Sequence, residues 1–251
     1  MKNEYHILNG DCLKEQFPNS IMGEKIIARL CLVDGNVKSG TINELFKIRA
    51  KFISESYSDY TVQDYFAKTV TEIEKIQNIS DNTEINLWFE DDLFCQVNFW
   101  FIINLLFEGR KSQSIFLVRP KENCEYSFGR MNKDELVEAL KSKVKIEPFE
   151  LNELRKIWKL YQQDNCTEMF EIAKKIDIKF PFLIPAIQAH KDRIPTNGNL
   201  GRPKQSLIQI MDDLKSESFG KIFEEFCKRE GIYGFGDLQV KRMYDEIIKN
   251  R

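Results

Sequence analysis

Histidine is scarce in this chain and its cysteines are scattered. The 251 residues include two histidines and six cysteines, and no two cysteines are separated by only two residues. Because structural zinc modules are built from clustered cysteine and histidine ligands, this composition argues against a structural zinc site. Isolated cysteines are typical of proteins that keep reduced thiols, so we expect a cytoplasmic protein.

The chain also lacks an excess of either charge and any long apolar run. It carries 37 basic and 39 acidic residues, which leaves no global field to attract nucleic acid or a membrane surface. The longest apolar stretch, residues 99–107, is interrupted by Asn104 and is too short to cross a bilayer. The first residues lead directly into a strand pattern, without the apolar region of a signal peptide. We therefore expect no membrane association.

What the sequence does contain is a series of short apolar runs, each followed by residues with helical spacing. The runs cover residues 5–8, 26–33, 85–89 and 114–118. Strands that alternate with helices predict an α/β protein with a parallel, doubly wound (Rossmann-like) sheet of about four strands. We assign this sheet domain to residues 1–130, a helical connector to 131–193 and a C-terminal helical region to 194–251.

Acidic residues follow the first three of these runs. Asp11, Asp34 and the triplet at 90–92 each come shortly after an apolar segment. Because the carboxyl ends of parallel strands lie along one edge of a sheet, we expect these side chains to converge on a ligand site. Asn9 and Gly10 would let backbone N–H groups approach the ligand at a helix start. This turn has a single glycine, so it matches neither a dinucleotide-binding fingerprint nor a P-loop.

Clustered carboxylates with little histidine suit a hard cation such as Mg²⁺, which commonly bridges to phosphate. We assign metal binding to Asp11 and Asp92, and Asp34 to ligand binding. The catalytic candidates are Glu90, as a general base, and Asp92. The alternative is that Asp11 and one acid of the triplet only cap helices.

Neutralising and orienting groups should accompany such a cluster. Like-charge repulsion would raise one carboxyl pKa unless a cation or an arginine is near, and Arg49 and Arg119 are the candidates. Gln96 lies one helical turn beyond Asp92 on the same predicted helix face, so it could bond the ligand.

Four segments resemble, in the same order, the family described as domain of unknown function 1835, which consists of uncharacterised bacterial proteins. They are residues 6–11, residues 87–94 with Gln96, residues 197–203 and residues 234–237. The resemblance implies an α/β architecture and no particular activity. This chain has Cys12 where the family usually has serine, and Asn36 where members often have proline.

The C-terminal helices allow more than one interpretation. They could form a winged-helix-like module whose nucleic-acid face includes Ser206, Gln209, Gln239, Lys241 and Arg242. However, residues 191–251 contain 12 basic and 10 acidic residues, which is far from a basic footprint. The favoured interpretation is a helical cap that packs on the sheet or forms a homodimer.

The sequence therefore supports two functional hypotheses, leaves a scaffold with neither activity as a third possibility, and does not decide whether the protein is an enzyme. The first is binding of a small polar ligand, a nucleotide or a phosphorylated metabolite, with Mg²⁺ at the strand-end acids. The alternative is a nucleic-acid-binding or regulatory module that acts through the C-terminal helices.

Overall fold

The computed structural model describes residues 3–57, 60–109, 113–121, 126–196 and 198–250, and it contains one five-stranded sheet. The strands are β1 (Glu4–Leu8), β2 (Glu24–Ile27), β3 (Glu84–Trp88), β4 (Ser114–Val118) and β5 (Val144–Lys145). Their order is β2-β1-β3-β4-β5; the first four are parallel and β5 runs antiparallel to β4. The α/β prediction is confirmed. The prediction of about four strands missed β5, because two residues are too few to show a periodic pattern.

Twelve α-helical segments are present in the described residues. They are α1 (Asp11–Gln16), α2 (Ile42–Ser56), α3 (Val62–Tyr65), α4 (Thr71–Gln77), α5 (Leu93–Gly109), α6 (Lys133–Lys141), α7 (Pro148–Tyr161), α8 (Cys166–Ile176), α9 (Leu183–Arg193), α10 (Arg202–Leu214), α11 (Phe219–Arg229) and α12 (Asp237–Lys249). A π-helical turn, Phe66–Val70, joins α3 to α4, and two 3₁₀ turns lie at Phe128–Arg130 and Gly231–Tyr233.

Helices cover both faces of the sheet because successive side chains of a strand point to opposite sides. On one face, Leu8 and Trp88 pack with Leu13 of α1 and Leu136 of α6. On the other face, residues such as Ile7 belong to the large core that includes α5. Helix α5 is apolar around its whole circumference and buried along most of its length, as its sequence predicts.

The second strand is shorter than its apolar run. We predicted a strand at residues 26–33, whereas β2 ends at Ile27. Its partner β1 ends at Leu8, whose carbonyl accepts the Ala28 amide at 2.8 Å, so the residues beyond have no neighbouring strand to pair with. Leu32 and Val33 nevertheless stay buried. The apolar run therefore reports core residues that continue past the strand, and Asp34 does not stand at its end.

The last three helices form a small core of their own and pack against the sheet unit. Leu207, Ile222, Phe226 and Val240 belong to this second core, and Phe235 contacts both cores. Within residues 202–250 the structure contains helices and one 3₁₀ turn and no strand. The described part of this region therefore lacks the strands of a wing.

Two residues of the predicted nucleic-acid face point toward the rest of the protein. Arg242 pairs with Asp34, and Gln239 donates to the Tyr57 hydroxyl at 3.2 Å. Among the described residues, no helix is long and apolar enough to cross a membrane. The five described cysteines are free thiols.

Candidate functional site

An open cleft of about 920 Å³ lies beyond the carboxyl ends of β1 and β3. At this point the strand order changes direction, since the chain leaves β1 toward β2 on one side and returns to β3 on the other. Such switch points are where open α/β sheets bind ligands. The lining of the cleft includes Asn9, Glu90, Asp92 and Cys95, together with most of residues 226–235.

Glu90 is mostly buried and follows β3 by two residues. Its Oε1 accepts the Phe128 backbone N–H, and its Oε2 lies 3.5 Å from the Cys95 thiol, which donates to it. Burial, followed by the negative charge of Asp92, raises the pKa of Glu90 to about 7. A carboxyl group with this pKa can accept or release a proton at neutral pH.

Asp92 begins helix α5 and also lines the cleft. Its Oδ1 accepts the Cys95 backbone N–H at 2.9 Å, which is the hydrogen bond of an N-cap. The predicted alternative of helix capping therefore holds for this residue. Asp92 is 1% exposed, and burial raises its pKa to about 6.

Gly234 covers the Asp92 carboxylate from the C-terminal region. A Cβ atom at this position would lie 1.9 Å from Asp92 Oδ1, so glycine alone permits the approach. Its φ of +62° is also one that residues with side chains rarely adopt.

Glu90 and Asp92 lack a cationic partner in the described part of the chain. No lysine or arginine nitrogen there lies within 4 Å of either carboxylate, in contrast to Asp91, which forms a two-pronged ion pair with Arg119. Arg119 was a predicted neutralising group, and it neutralises only this one member of the triplet. Two neighbouring, largely buried carboxyl groups are thus left facing the cleft.

The structure does not bring Asp11 and Asp34 into this cleft. Asp11 is half-exposed and accepts two hydrogen bonds from Arg29, at 2.7 and 2.8 Å. Asp34 pairs with Arg242 and accepts the Tyr57 hydroxyl at 2.7 Å. Neither acid is among the residues that line the cleft. Each of the two forms an ion pair with an arginine instead.

The group best placed to hold a metal differs from the predicted pair of Asp11 and Asp92. Glu90, Asp92 and Cys95 offer ligand atoms that all lie within 4.8 Å of one another. A thiol beside two carboxylates suits Zn²⁺ or a similar borderline ion better than Mg²⁺, which prefers oxygen ligands. Burial raises the pKa of the Cys95 thiol well above its usual value, so a metal would have to displace its proton.

Two of the predicted ligand-binding residues lie at the β1 turn. Asn9 lines the cleft, donates to Cys95 Sγ at 2.9 Å and accepts from Asn98 at 3.0 Å. Gly10 has a φ of +93° and open space where a side chain would stand, and it is not among the residues that line the cleft.

Arg49 and Gln96 are buried, and their side chains donate hydrogen bonds to backbone carbonyls. Arg49 donates to the carbonyls of Cys31, at 2.6 Å, and Asn36, at 3.0 Å, and so does not neutralise the strand-end acids. Gln96 donates to the Glu90 carbonyl at 2.7 Å, which holds the chain at that residue. It therefore positions Glu90 and does not line the cleft.

Sequence reasoning missed the basic side of the cleft. Its lining includes Arg130, Arg202, Lys228 and Arg229. Arg202 lies 3.0 Å from Glu230, and Lys228 and Arg229 pair with acids of their own region, whereas Arg130 is exposed and has no ion-pair partner in the described residues. No local pattern marks these residues, because they lie far along the chain from the acids. Cys95 could have been found, since it stands three residues after Asp92 on the same helix.

Comparison with protein-family models, with curated proteins and with solved structures finds no match for this chain. The resemblance to the domain of unknown function 1835 family stays a prediction.

Proposed function

We propose that this protein binds a small polar ligand, a nucleotide or a phosphorylated metabolite, in the cleft at the carboxyl ends of β1 and β3. The observation that carries the proposal is the pair of largely buried carboxyl groups, Glu90 and Asp92, which face the cleft without a cationic partner in the described residues. Buried ionisable groups are normally paired, so an unpaired set at a switch point favours a ligand that completes it. The sheet would then bind its ligand at the carboxyl ends of its strands, as the sheets of Rossmann-like folds do.

The two sides of the cleft favour a ligand with two different ends. Glu90 and Asp92 would accept hydrogen bonds from hydroxyl or amino groups, such as those of a ribose or a base. The basic residues that line the same cleft, Arg130 and Arg202 among them, would hold an anionic group, for which the planar guanidinium fork is well suited. A nucleotide or sugar phosphate combines both ends in one small molecule.

Glu90 is the residue that would carry any chemistry. Its pKa of about 7, raised by burial and then by the charge of Asp92, lets it act as a general base or acid toward a bound hydroxyl or amino group. If the ligand brings a divalent ion, Glu90, Asp92 and Cys95 would bind it, with Zn²⁺ favoured over Mg²⁺ by the thiol.

The proposal is tested by thermal shift with AMP, ATP and ribose 5-phosphate, each with and without Mg²⁺ or Zn²⁺. Binding to the folded state raises Tm, and we expect at least one of these ligands to do so. Glu90→Gln should weaken that ligand by about tenfold or more, since it removes a charge-assisted hydrogen bond. Glu138→Gln, an exposed acid of α6 outside the cleft, is the matched control and should change nothing. If no nucleotide or sugar phosphate shifts Tm, or if both variants behave alike, the proposal fails.

A further inference from the structure

A second pocket, of about 260 Å³, lies beyond the end of β2 and shares no described lining residue with the cleft. Its walls come from residues 29–31, from α2, from the α3 and π-helical segment, and from the start of α12. Among the described residues, its lining includes two arginines and three tyrosines and no acidic residue: Arg29, Arg49, Tyr57, Tyr60 and Tyr65. A pocket with this composition has a positive, aromatic interior.

Arg49 is the buried charged group of this pocket. It is 1% exposed, it lies 4.6 Å from the centre of the Phe52 ring, and it donates two hydrogen bonds to neutral backbone carbonyls. No carboxylate of the described residues lies within 4 Å of its guanidinium, whereas Arg29 in the same pocket is held by Asp11. A buried charge without a counter-charge is costly, so an anion that entered here would be strongly favoured.

The remaining walls suit a planar body attached to that anion. Tyr57 and Tyr60 are half-buried at one side, Tyr65 is buried, and Thr69 lies on the π-helical turn. Tyrosine rings supply flat apolar surface and edge hydroxyls. Single π-helical turns inside α-helices are frequently found at functional sites, and this one forms part of the wall.

We infer that this pocket is a second binding site, which takes a small organic anion made of a planar ring and one carboxylate or phosphate group. The anionic group binds the Arg49 guanidinium, and the ring lies among the tyrosines. The inference is independent of the proposed function of the cleft, because none of the described residues lines both sites.

The test uses phenyl phosphate and benzoate as probes and phenol as the neutral control, each titrated into the full chain by ligand-observed NMR. We expect the two anions to bind and phenol to bind about tenfold more weakly or not at all, because it lacks the group that pairs with Arg49. The tighter of the two anions identifies the anionic group. If phenol binds as well as both anions, or if none of the three binds at millimolar concentration, the inference is overturned.

Variants then locate the binding. Arg49→Met should weaken the better anion by about tenfold or more, and Arg49→Lys should weaken it less, since it keeps the charge and loses the fork. Arg155→Met is the matched control. Arg155 is partly buried on α7, its guanidinium lies 4.0 Å from the centre of the Phe107 ring, and it does not line this pocket. Equal affinity in Arg49→Met and Arg155→Met would overturn the inference.

Two further variants keep the test decisive if Arg49→Met does not fold. Tyr60→Ala removes a half-buried ring from the pocket wall and should weaken the anion by about three- to tenfold through lost aromatic contact. Glu138→Gln, on the surface of α6 and outside both pockets, should leave phenyl phosphate binding unchanged. An unchanged affinity in Tyr60→Ala, or a loss in Glu138→Gln as large as that in Tyr60→Ala, would contradict a site at this place.

Discussion

Two groups of carboxylates follow the strands of this sheet, and they differ in one respect. Asp11, Asp34 and Asp91 each have an arginine, while Glu90 and Asp92 have no cation within 4 Å in the described part of the chain. The paired acids gain charge-assisted hydrogen bonds on folding. The unpaired acids lose hydration on folding without a compensating charge, which opposes folding. Residues that a fold keeps at a cost in stability are the better candidates for function.

The pKa directions express the same difference. Arg29 lowers the pKa of Asp11 by hydrogen bonding to its carboxylate, so folding favours the charged form. Burial raises the pKa of Glu90 and of Asp92, so folding favours their neutral forms. The two groups should therefore respond to pH with opposite signs.

The largest expected effect comes from filling the space above the unpaired acids. Gly234→Ala places a Cβ 1.9 Å from Asp92 Oδ1 and also puts a side chain at a φ of +62°. We expect a loss of about 2–4 kcal/mol in the free energy of unfolding, from overpacking together with the left-handed backbone. Denaturant unfolding measures it.

Gly198→Ala is the matched control for that variant. Gly198 also has a positive φ, of +81°, but nothing lies within 4 Å of a Cβ built there. Gly198→Ala should lose only the free energy that the left-handed backbone costs a residue with a side chain, about 1 kcal/mol. If the two alanine variants lose equal stability, Gly234 does not pack on Asp92 as described.

The second prediction concerns how stability changes with pH, which should differ in sign between the paired and the unpaired acids. The unfolded pKa of Glu90 is 4.5 and its folded pKa is about 7, so the folded state takes up a proton between these values. The contribution of Glu90 to the free energy of unfolding is therefore largest below pH 4.5, and it falls as the pH rises to about 7. Glu90→Gln removes this titration, and at pH 8 it should be more stable than the parent chain by on the order of 2 kcal/mol.

Denaturant unfolding at pH 4 and pH 8 checks this prediction. The stabilisation by Glu90→Gln should vanish at pH 4, where the glutamate is already neutral in both states. Asp91→Asn is the control one residue away, and it should destabilise at pH 8 because it leaves Arg119 without its counter-charge. A Glu90→Gln variant that is less stable at pH 8 would remove the distinction between the two groups.

The sequence predicted that acids follow β1 and β3, but it misplaced Asp34 at a strand end and did not predict which acids pair with an arginine. Strand ends could be found because β1, β3 and β4 are short apolar runs bounded by polar residues. The ion pairs could not be predicted, because the partner arginine lies 18 residues from Asp11, 28 from Asp91 and 208 from Asp34. Only the three-dimensional path of the chain decides which carboxylate meets a guanidinium.

The same limit applies to the two elements that the sequence misplaced. The run at 26–33 predicted a longer β2, because burial and strand pairing give the same apolar pattern. Most of the basic residues of the cleft come from a region that we interpreted as a helical cap or a winged-helix-like module. Arg202 lines the cleft and Gly234 lies against Asp92 because of how α10–α12 pack, and periodicity contains no information about that packing.

The smallest expected effect belongs to Asp11, which was the first acid assigned to a metal. Its carboxylate is half-exposed and its ion pair with Arg29 is screened by water, so Asp11→Asn should cost less than about 1 kcal/mol at neutral pH and low salt. Because its folded pKa is lowered, this contribution is present above pH 3.8 and is lost as the pH falls below it. Unfolding at pH 7 and pH 3, in low and high salt, measures both dependences. The variant should leave ligand binding in the cleft unchanged, and an Asp11→Asn chain that lost that binding as fully as Glu90→Gln would return Asp11 to the site.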